Sequence, residues 1–390
     1  MKFLIFDHHS SFSPDIISFL NEKEAAISYI NSRPRNYYYD PVFRKEVIQN
    51  IEETNPDIVF SIHFFPILSN ICRQQKIPYV CWCYNDPLNL LLLHNSVTNN
   101  CNIIFHTDSQ WIEKLQRLGC QQVHYLPWAA DSAYLSTSPD RFSSQADVVC
   151  LDSVTPEIHT AYNKLLLQTD PRTRGFIEAL LQAQETIYGF NFLENACNES
   201  AMHSLQVSYP IPAPRETLAS TEELYAFFLL YPIITKKETE HLLQVLDQEQ
   251  TIHTHFYTLE SQKHFKHITS IPLPPDSTKI AEIYQSGKIN LLISPREIQN
   301  GISVPAMHIL ASGSFLLTNF QNDFLHFFEP EIDYVYYESP KDMLDKVQYY
   351  LKHETERKGI AQNARQKILQ NHTFNHRMNE MYDILQRTQL

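Results

Sequence analysis

The chain has 390 residues, 43% of them apolar and 12% aromatic, with a formal charge of −13. That length predicts two domains with separate cores, and the apolar fraction excludes a disordered chain. The acidity argues against a nucleic-acid partner: no basic run stands out, and KDMLDKVQYYLKHETERK near 341–358 mixes both signs, as a solvated helix face does.

MKFLIFD enters a strand at once, without the charged leader and apolar core of a signal peptide, and no window reaches the roughly 18 apolar residues of a membrane span. The seven cysteines lack paired zinc spacing. Free thiols in a reducing cytoplasm are the expectation.

In chain order, strand KFLIF (2–6) precedes a helix near 14–30 and the aromatic stretch NYYYDP (36–41). A helix near 41–53 leads into NPDIVFSIH (55–63), a helix over 66–75 into IPYVCWCY (77–84), and NDP (85–87) turns the chain. Then come CNIIFHT (101–107), a helix around 108–118 ending at Gly119, and QVHYLPWA (122–129). Short apolar strands alternating with helices predict a parallel sheet covered on both faces.

After the polar linker STSPDRFSSQ (136–145), ADVVCLD (146–152) starts a second half. A helical insertion is expected over about 155–245, interrupted by the proline-rich YPIPAPRETL (209–218). The αβ rhythm resumes with THFYTL (254–259) and runs through ITSI, INLLI, SFLLT and YVYYE. Helices over 340–352 and 355–371 and a tail helix over 374–388 complete the chain. The expected domains are 1–142, 143–372 and a tail at 373–390.

Two of only seven glycines, Gly301 and Gly313, bracket the short helix of the segment 280–320. A glycine-opened loop at a helix N-terminus offers backbone N–H groups to an anion such as a phosphate. Gly313 alone also reads as a left-handed helix stop. Ligands of open parallel sheets bind outside the carboxyl ends of the strands, which directs attention to the loops DHHS (7–10), IHFF (62–65), YNDP (84–87), HTDS (106–109), PWAAD (127–131), LDSV (151–154), PREIQNG (295–301) and TNFQND (318–323).

NPDIVF (55–60), IPYVCWCYNDPL (77–88), NIIFHTD (102–108) and VHYLPWAAD (123–131) resemble the N-terminal domain of glycosyltransferases related to the spore maturation protein CgeB. YQSGKINLLIS (284–294), GISVPAMHILASGSFLLTN (301–319), FEPEIDYVYY (328–337) and NHTFNHR (371–377) are similar to the transferase domain of that group. About half the chain is covered, in the right order.

The resemblance implies an α/β GT-B architecture, two Rossmann-like parallel-sheet domains facing a cleft. It implies an acceptor held by the first domain and a nucleotide sugar by the second, with a protein or glycan as acceptor and an oligomer open. The chain contains no Asp-x-Asp, in keeping with a metal-independent enzyme without a cofactor. Charge on the departing diphosphate then falls to backbone N–H groups and basic side chains. Arg296, just past INLLI, and Lys288, before it, are the candidates. Ser153, Tyr257, Asn300, Gly301, His308 and Gly313 complete the expected donor side. Asp86, His63 and His106 are the catalytic candidates, with His8, His9 and Trp128 on the acceptor side; each also reads as a turn residue, a satisfied histidine or a core ring.

Relatives carry Arg and then Glu in the helix that ends at the glycine, where this chain has Pro305 and His308. A histidine lacks the carboxylate's two acceptors for a ribose diol, and Pro305, at home in a first helical turn, removes a charge. This favours a second reading, a catalytically silent relative acting as a binding or scaffolding subunit. A third is other chemistry on nucleotide sugars, such as epimerisation. His253, His255, His264 and His267 lie close together at intervals that resemble metal spacing, but no metal site is expected.

Overall fold

The computed structural model describes residues 1–7, 13–84, 91–136, 145–153, 156–259, 265–274 and 277–388. The chain divides into two compact units: residues 1–129, 213–220 and 372–390 form one, and 130–212 with 221–371 form the other.

In the first unit, β1 (Lys2–Phe6), β2 (Ala26–Tyr29), β3 (Ile58–Ile62), β4 (Tyr79–Cys83), β5 (Asn102–His106) and β6 (Val123–Tyr125) pair in the order β2-β1-β3-β4-β5-β6. Every pairing is parallel. In the second, β7 (Ala146–Leu151), β8 (Thr254–Thr258), β9 (Thr269–Pro272), β10 (Gly287–Leu292), β11 (Leu316–Asn319) and β12 (Val335–Tyr337) pair as β12-β11-β10-β7-β8-β9, again all parallel. Two Rossmann-like sheets with helical regions are thus present, consistent with GT-B architecture. Their strand orders reverse between β1 and β3 and between β7 and β10, the switch points where ligands of such sheets bind.

The central strands are buried throughout, which is why they read as continuous apolar runs. Along β10 the period of two decides which core each residue joins. Ile289, Leu291 and Ile293 pack with Leu242, Leu243 and Leu246 of the helix Tyr231–Asp247, whereas Leu292 packs with Met307 and Leu310 of the helix Val304–Ala311. Each fully buried Leu or Ile contributes about 1.5–3 kcal/mol.

Three elements differ from the sequence expectation. The first helix stops at Glu22 and Ala26–Tyr29 is a strand, because Glu24 turns the chain at φ 54°. The sequence pattern after the prolines predicts two helices, near 220–230 and 236–248, and these are one continuous run: Thr221–Tyr225, a π-helical turn over Ala226–Leu230, then Tyr231–Asp247. The proline-rich stretch does interrupt the insertion, and its residues 213–220 belong to the first unit. Among the described residues no helix is long and apolar enough to cross a membrane. All seven cysteines are free, and burial pushes the Cys101, Cys120 and Cys197 thiols up to about 11.

With so few glycines, other residues take the left-handed turns. Glu24, Asn55 and Lys76 all follow helices at φ between 43° and 57°, a conformation that strains a side chain with a Cβ. Lys76 still caps its helix, donating its N–H to Cys72 and Arg73 carbonyls. Lys76→Gly and Glu24→Gly are therefore expected to stabilise the protein by about 1 kcal/mol each, measured as a raised urea midpoint with unchanged slope.

Candidate functional site

At the switch point of the second unit, the loop after β7 meets the loop after β10. Ser153 Oγ donates to the Ile293 carbonyl at 3.3 Å. The next residue, Ser294, is clamped by Asn319: its N–H donates to Asn319 Oδ1 at 2.8 Å, and its carbonyl accepts from Asn319 Nδ2 at 3.2 Å. The chain then runs through PREIQNG into the helix Val304–Ala311. Ser303 is the N-cap of that helix, but its hydroxyl lies 3.2 Å from the Ser294 hydroxyl and does not cap. Pro305 sits in the first turn, where its missing N–H costs no hydrogen bond. The helix therefore begins at the carboxyl edge of the sheet without a side-chain cap, the partially positive end of its dipole foremost.

Arg296 anchors this loop from beneath. It is 2% exposed, and its Nε donates to Glu238 Oε2 at 3.0 Å, its Nη1 to the Ile187 carbonyl at 2.9 Å. Its guanidinium carbon stands 4.5 Å from the centre of the Tyr188 ring. Its backbone N–H donates to Thr235 Oγ1 at 2.9 Å, and its carbonyl accepts from Asn191 and Gln299. Burial pushes the Glu238 carboxyl up, with the Arg296 charge opposing it. Two of the three guanidinium nitrogens expected to meet a diphosphate are thus engaged inside the unit, and Nη2 is buried without a hydrogen-bond partner among the described residues.

The other expected donor residues spread along the unit. Asn300 is fixed by Asn322, whose Nδ2 donates to its side-chain oxygen at 3.0 Å, and its carbonyl accepts from the Asp323 N–H. Gly301 follows directly, and it is not among the described residues of positive φ. His308 is buried and stacks on Tyr134, ring centres 3.9 Å apart and 9° from parallel. Burial holds it down to about 3, so it is neutral. Tyr257 lies on β8, 8% exposed, in an apolar cluster with Ala146, Val149 and Ile283. Lys288 and Gly313 stand at the opposite edge of the sheet. Lys288 is the second residue of β10 and pairs with Asp147 at 2.7 Å, and Gly313 ends the helix at φ 72° as its left-handed stop.

Ser294, Ser303 and Glu297 were not singled out from the sequence. Glu297 is half-buried on the same loop, and burial raises its carboxyl to about 7. Its only sequence signal is its place in PREIQNG.

In the first unit, His63 follows β3 beside the switch point. Its backbone is left-handed, φ 65°, and is held there by neighbours. Its N–H donates to the Trp82 carbonyl at 2.9 Å, and its carbonyl accepts from Ser61 Oγ at 2.7 Å. Such strain in a non-glycine residue persists only where surroundings enforce it. Its ring lies 4.6 Å from that of Tyr84. His106 ends β5 and accepts from the Asp108 N–H at Nδ1, 3.1 Å, which leaves its proton on Nε2. Burial lowers it to about 3, with the nearby His63 adding to the effect. An imidazole that acidic in its charged form is a weak base at neutral pH.

Trp128 is fully buried between Trp82, Tyr84 and Phe374, ring centres 4.2 to 5.6 Å away, and so has no open face for a sugar. His8, His9 and Asp86 lie outside the described residues, as does His264. Among the described residues no group of three or more His, Cys, Asp or Glu is arranged to hold a metal ion.

A family model described as glycosyl transferase-like matches residues 238–383, the stretch containing Glu238, the β10 loop and the helix behind it. No curated protein matches the sequence. Anabaena HepE in complex with UDP-glucose is similar over 99% of this chain and 100% of its own, at a TM-score of 0.59 and 9% identity. Sucrose-phosphate synthase from Thermosynechococcus elongatus is similar over 100% and 99%, at 0.56 and 9%. A UDP-forming α,α-trehalose-phosphate synthase from Burkholderia xenovorans is similar over 98% of each chain, at 0.51 and 10%. At such identities the likeness establishes the fold.

Two measurements test this geometry. Removing one member of a buried ion pair strands the other, so Arg296→Ala is expected to cost about 3–5 kcal/mol in urea denaturation, and Arg296→Met with Glu238→Leu to recover most of it. Linkage sets opposite pH slopes for the two buried titratable groups. His308 falls from an ordinary 6.5 to about 3, so its contribution is present above pH 6.5 and is lost as pH falls toward 3. Glu297 rises from 4.5 to about 7, so its contribution is present below pH 4.5 and is lost as pH rises through 7. Urea midpoints across pH 3 to 8 are expected to show a flatter acid limb in His308→Phe and the loss of the opposing slope in Glu297→Gln.

Proposed function

We propose that the protein is a glycosyltransferase that moves a sugar from a UDP-sugar to a hydroxyl of a glycan or protein acceptor, without a metal. One observation carries this reading: the uncapped N-terminus of the helix Val304–Ala311 opens at the β7/β10 switch point, on a fold similar over nearly the whole chain to structures named for UDP and UDP-glucose complexes. The match to a glycosyl transferase-like family model over this segment supports it.

In this reading the diphosphate lies against the N–H groups of residues 301–305 other than Pro305, with Ser153, Ser294, Asn300 and Ser303 around it. Lys288 and Gly313, at the far edge, are left out of the site. The acceptor oxygen forms a bond to the anomeric carbon while the bond from that carbon to the diphosphate oxygen breaks. UDP leaves with the electron pair, its new charge met by the helix dipole and loop N–H groups. His63 and Asp86 stay the candidates for taking the acceptor proton, His63 by its strained place at the first unit's switch point and Asp86 by its position in the sequence. Arg296 positions the loop and does not touch substrate.

The silent-subunit reading draws on two observations: Arg296 is buried and held at Nε and Nη1 by Glu238 and the Ile187 carbonyl, and His308 is stacked on Tyr134. A thermal-shift series separates the readings, since a ligand that binds the folded state raises its apparent stability. UDP and UDP-glucose at millimolar concentration are expected to raise the melting temperature more than GDP or dTDP do. Gly301→Val is expected to abolish the rise and Lys288→Ala to keep it. A rise without sugar transfer or hydrolysis of the donor points to the silent subunit, and no rise with any nucleotide removes the donor site altogether.

A further inference from the structure

A second concavity lies wholly within the first unit. It has a volume of about 680 Å³, within the roughly 300–1,000 Å³ typical of ligand clefts. Its floor is the helix Pro66–Gln75, one wall is the NYYYDP stretch leading into the helix Pro41–Thr54, and the other is residues 214–216 together with His94 and Asn95.

The walls are fastened in place. Asn36 Oδ1 accepts from the Tyr38 and Tyr39 N–H groups at 2.8 and 3.2 Å. Asp40 accepts from the N–H groups of Arg35, Val42 and Phe43, and those bonds, that to Arg35 first, hold its carboxyl below the usual range. Across the cleft, the Leu92 carbonyl accepts from the Leu218 N–H at 2.8 Å and from Thr217 Oγ1 at 3.1 Å. His94 accepts from the Ser96 N–H at Nδ1, so its proton lies on Nε2, 2.7 Å from Glu216. The Tyr38 ring stacks on His94, centres 5.7 Å apart.

The chemistry on offer is unusual for so acidic a chain. Arg44, Arg73 and Arg215 all line the cleft. Both carboxylates there are committed, Asp40 to backbone N–H groups and Glu216 to His94. Arg44 and Arg73 donate to neutral amides, Gln74 at 2.6 Å and Asn99 at 3.0 Å, and among the described ion pairs none joins either to a carboxylate. Guanidinium forks bind anionic oxygens in pairs. Beside them stand Asn70 and Asn95, whose amides match sugar hydroxyls, and Tyr39, 73% exposed, whose ring suits the C–H face of a pyranose.

We propose that this cleft binds an acidic oligosaccharide. Arg44 and Arg73 meet its anionic groups, and Tyr39 carries a ring. Nothing in this depends on the donor site. An acidic peptide would use the same arginines but has no need of an exposed tyrosine beside planar amides, which is why a sugar is favoured.

Calorimetric titration of the full chain tests this with hexagalacturonate, a sulfated hexasaccharide and neutral maltohexaose, and with hexaglutamate as a peptide of matched charge. One of the acidic sugars is expected to bind, more weakly as salt rises, with maltohexaose and hexaglutamate at least tenfold weaker. Arg44→Ala and Arg73→Ala are each expected to weaken binding about tenfold, as loss of a charge-assisted hydrogen bond does. Tyr39→Ala, at an exposed position, is expected to weaken it severalfold with an unchanged melting temperature. The response to UDP is expected to stay as in the parent chain for all three. Failure of both acidic sugars at millimolar concentration, equal binding of hexaglutamate, or binding unaffected by the three variants would overturn the proposal.

Discussion

The Arg296–Glu238 pair, taken almost completely out of water, is the constraint on which the second unit's functional edge rests. A guanidinium and a carboxylate cost several kcal/mol each to desolvate, and here the cost is offset by a charge-assisted hydrogen bond, a backbone carbonyl and an aromatic face. The pair ties the loop after β10 to the helix Tyr231–Asp247. The backbone of the same arginine adds bonds to Thr235 and Asn191. The loop therefore reaches the helix Val304–Ala311 already ordered, as a site that must offer N–H groups to an anion requires. Electrostatic preorganisation of this kind needs a rigid support more than it needs another exposed charge.

The sheet topology explains why that loop matters. With the order β12-β11-β10-β7-β8-β9, connections after β7 and β10 leave in opposite directions and open a crevice between them. Ser153 and Ile293, 140 positions apart in sequence, are brought together there. The first unit repeats the principle with β1 and β3, and places the strained His63 beside its own reversal. Aromatic packing around Trp82 and Trp128, joined by Phe374 from the end of the chain, fills the interior next to it.

Much of the fold was legible because buried parallel strands announce themselves as apolar runs. IVFSI, YVCWC and NIIFH are strands with every residue buried. The strand Ala26–Tyr29 was hidden because its preceding turn is made by Glu24 and not by a glycine or proline. The insertion's continuity was hidden likewise, since Pro232 falls in the first turn of a helix that a π-helical turn feeds directly. At the site, the loop positions could be read but the side-chain roles could not. Nothing local to PREIQNG says that its arginine turns inward: the partner, Glu238, is 58 positions away. Lys288 looked close to Arg296 in sequence, yet a strand separates them by its own length. His308 holds the place of a ribose-binding carboxylate in the resembling family, but its ring is stacked on Tyr134.

A crystal structure of the protein grown with UDP examines the central claim most directly. The account predicts that the diphosphate lies between Ser153 and the start of the helix Val304–Ala311, with Arg296 still bound to Glu238. Nucleotide bound elsewhere, or an Arg296 that leaves Glu238 to grip the diphosphate, would contradict it.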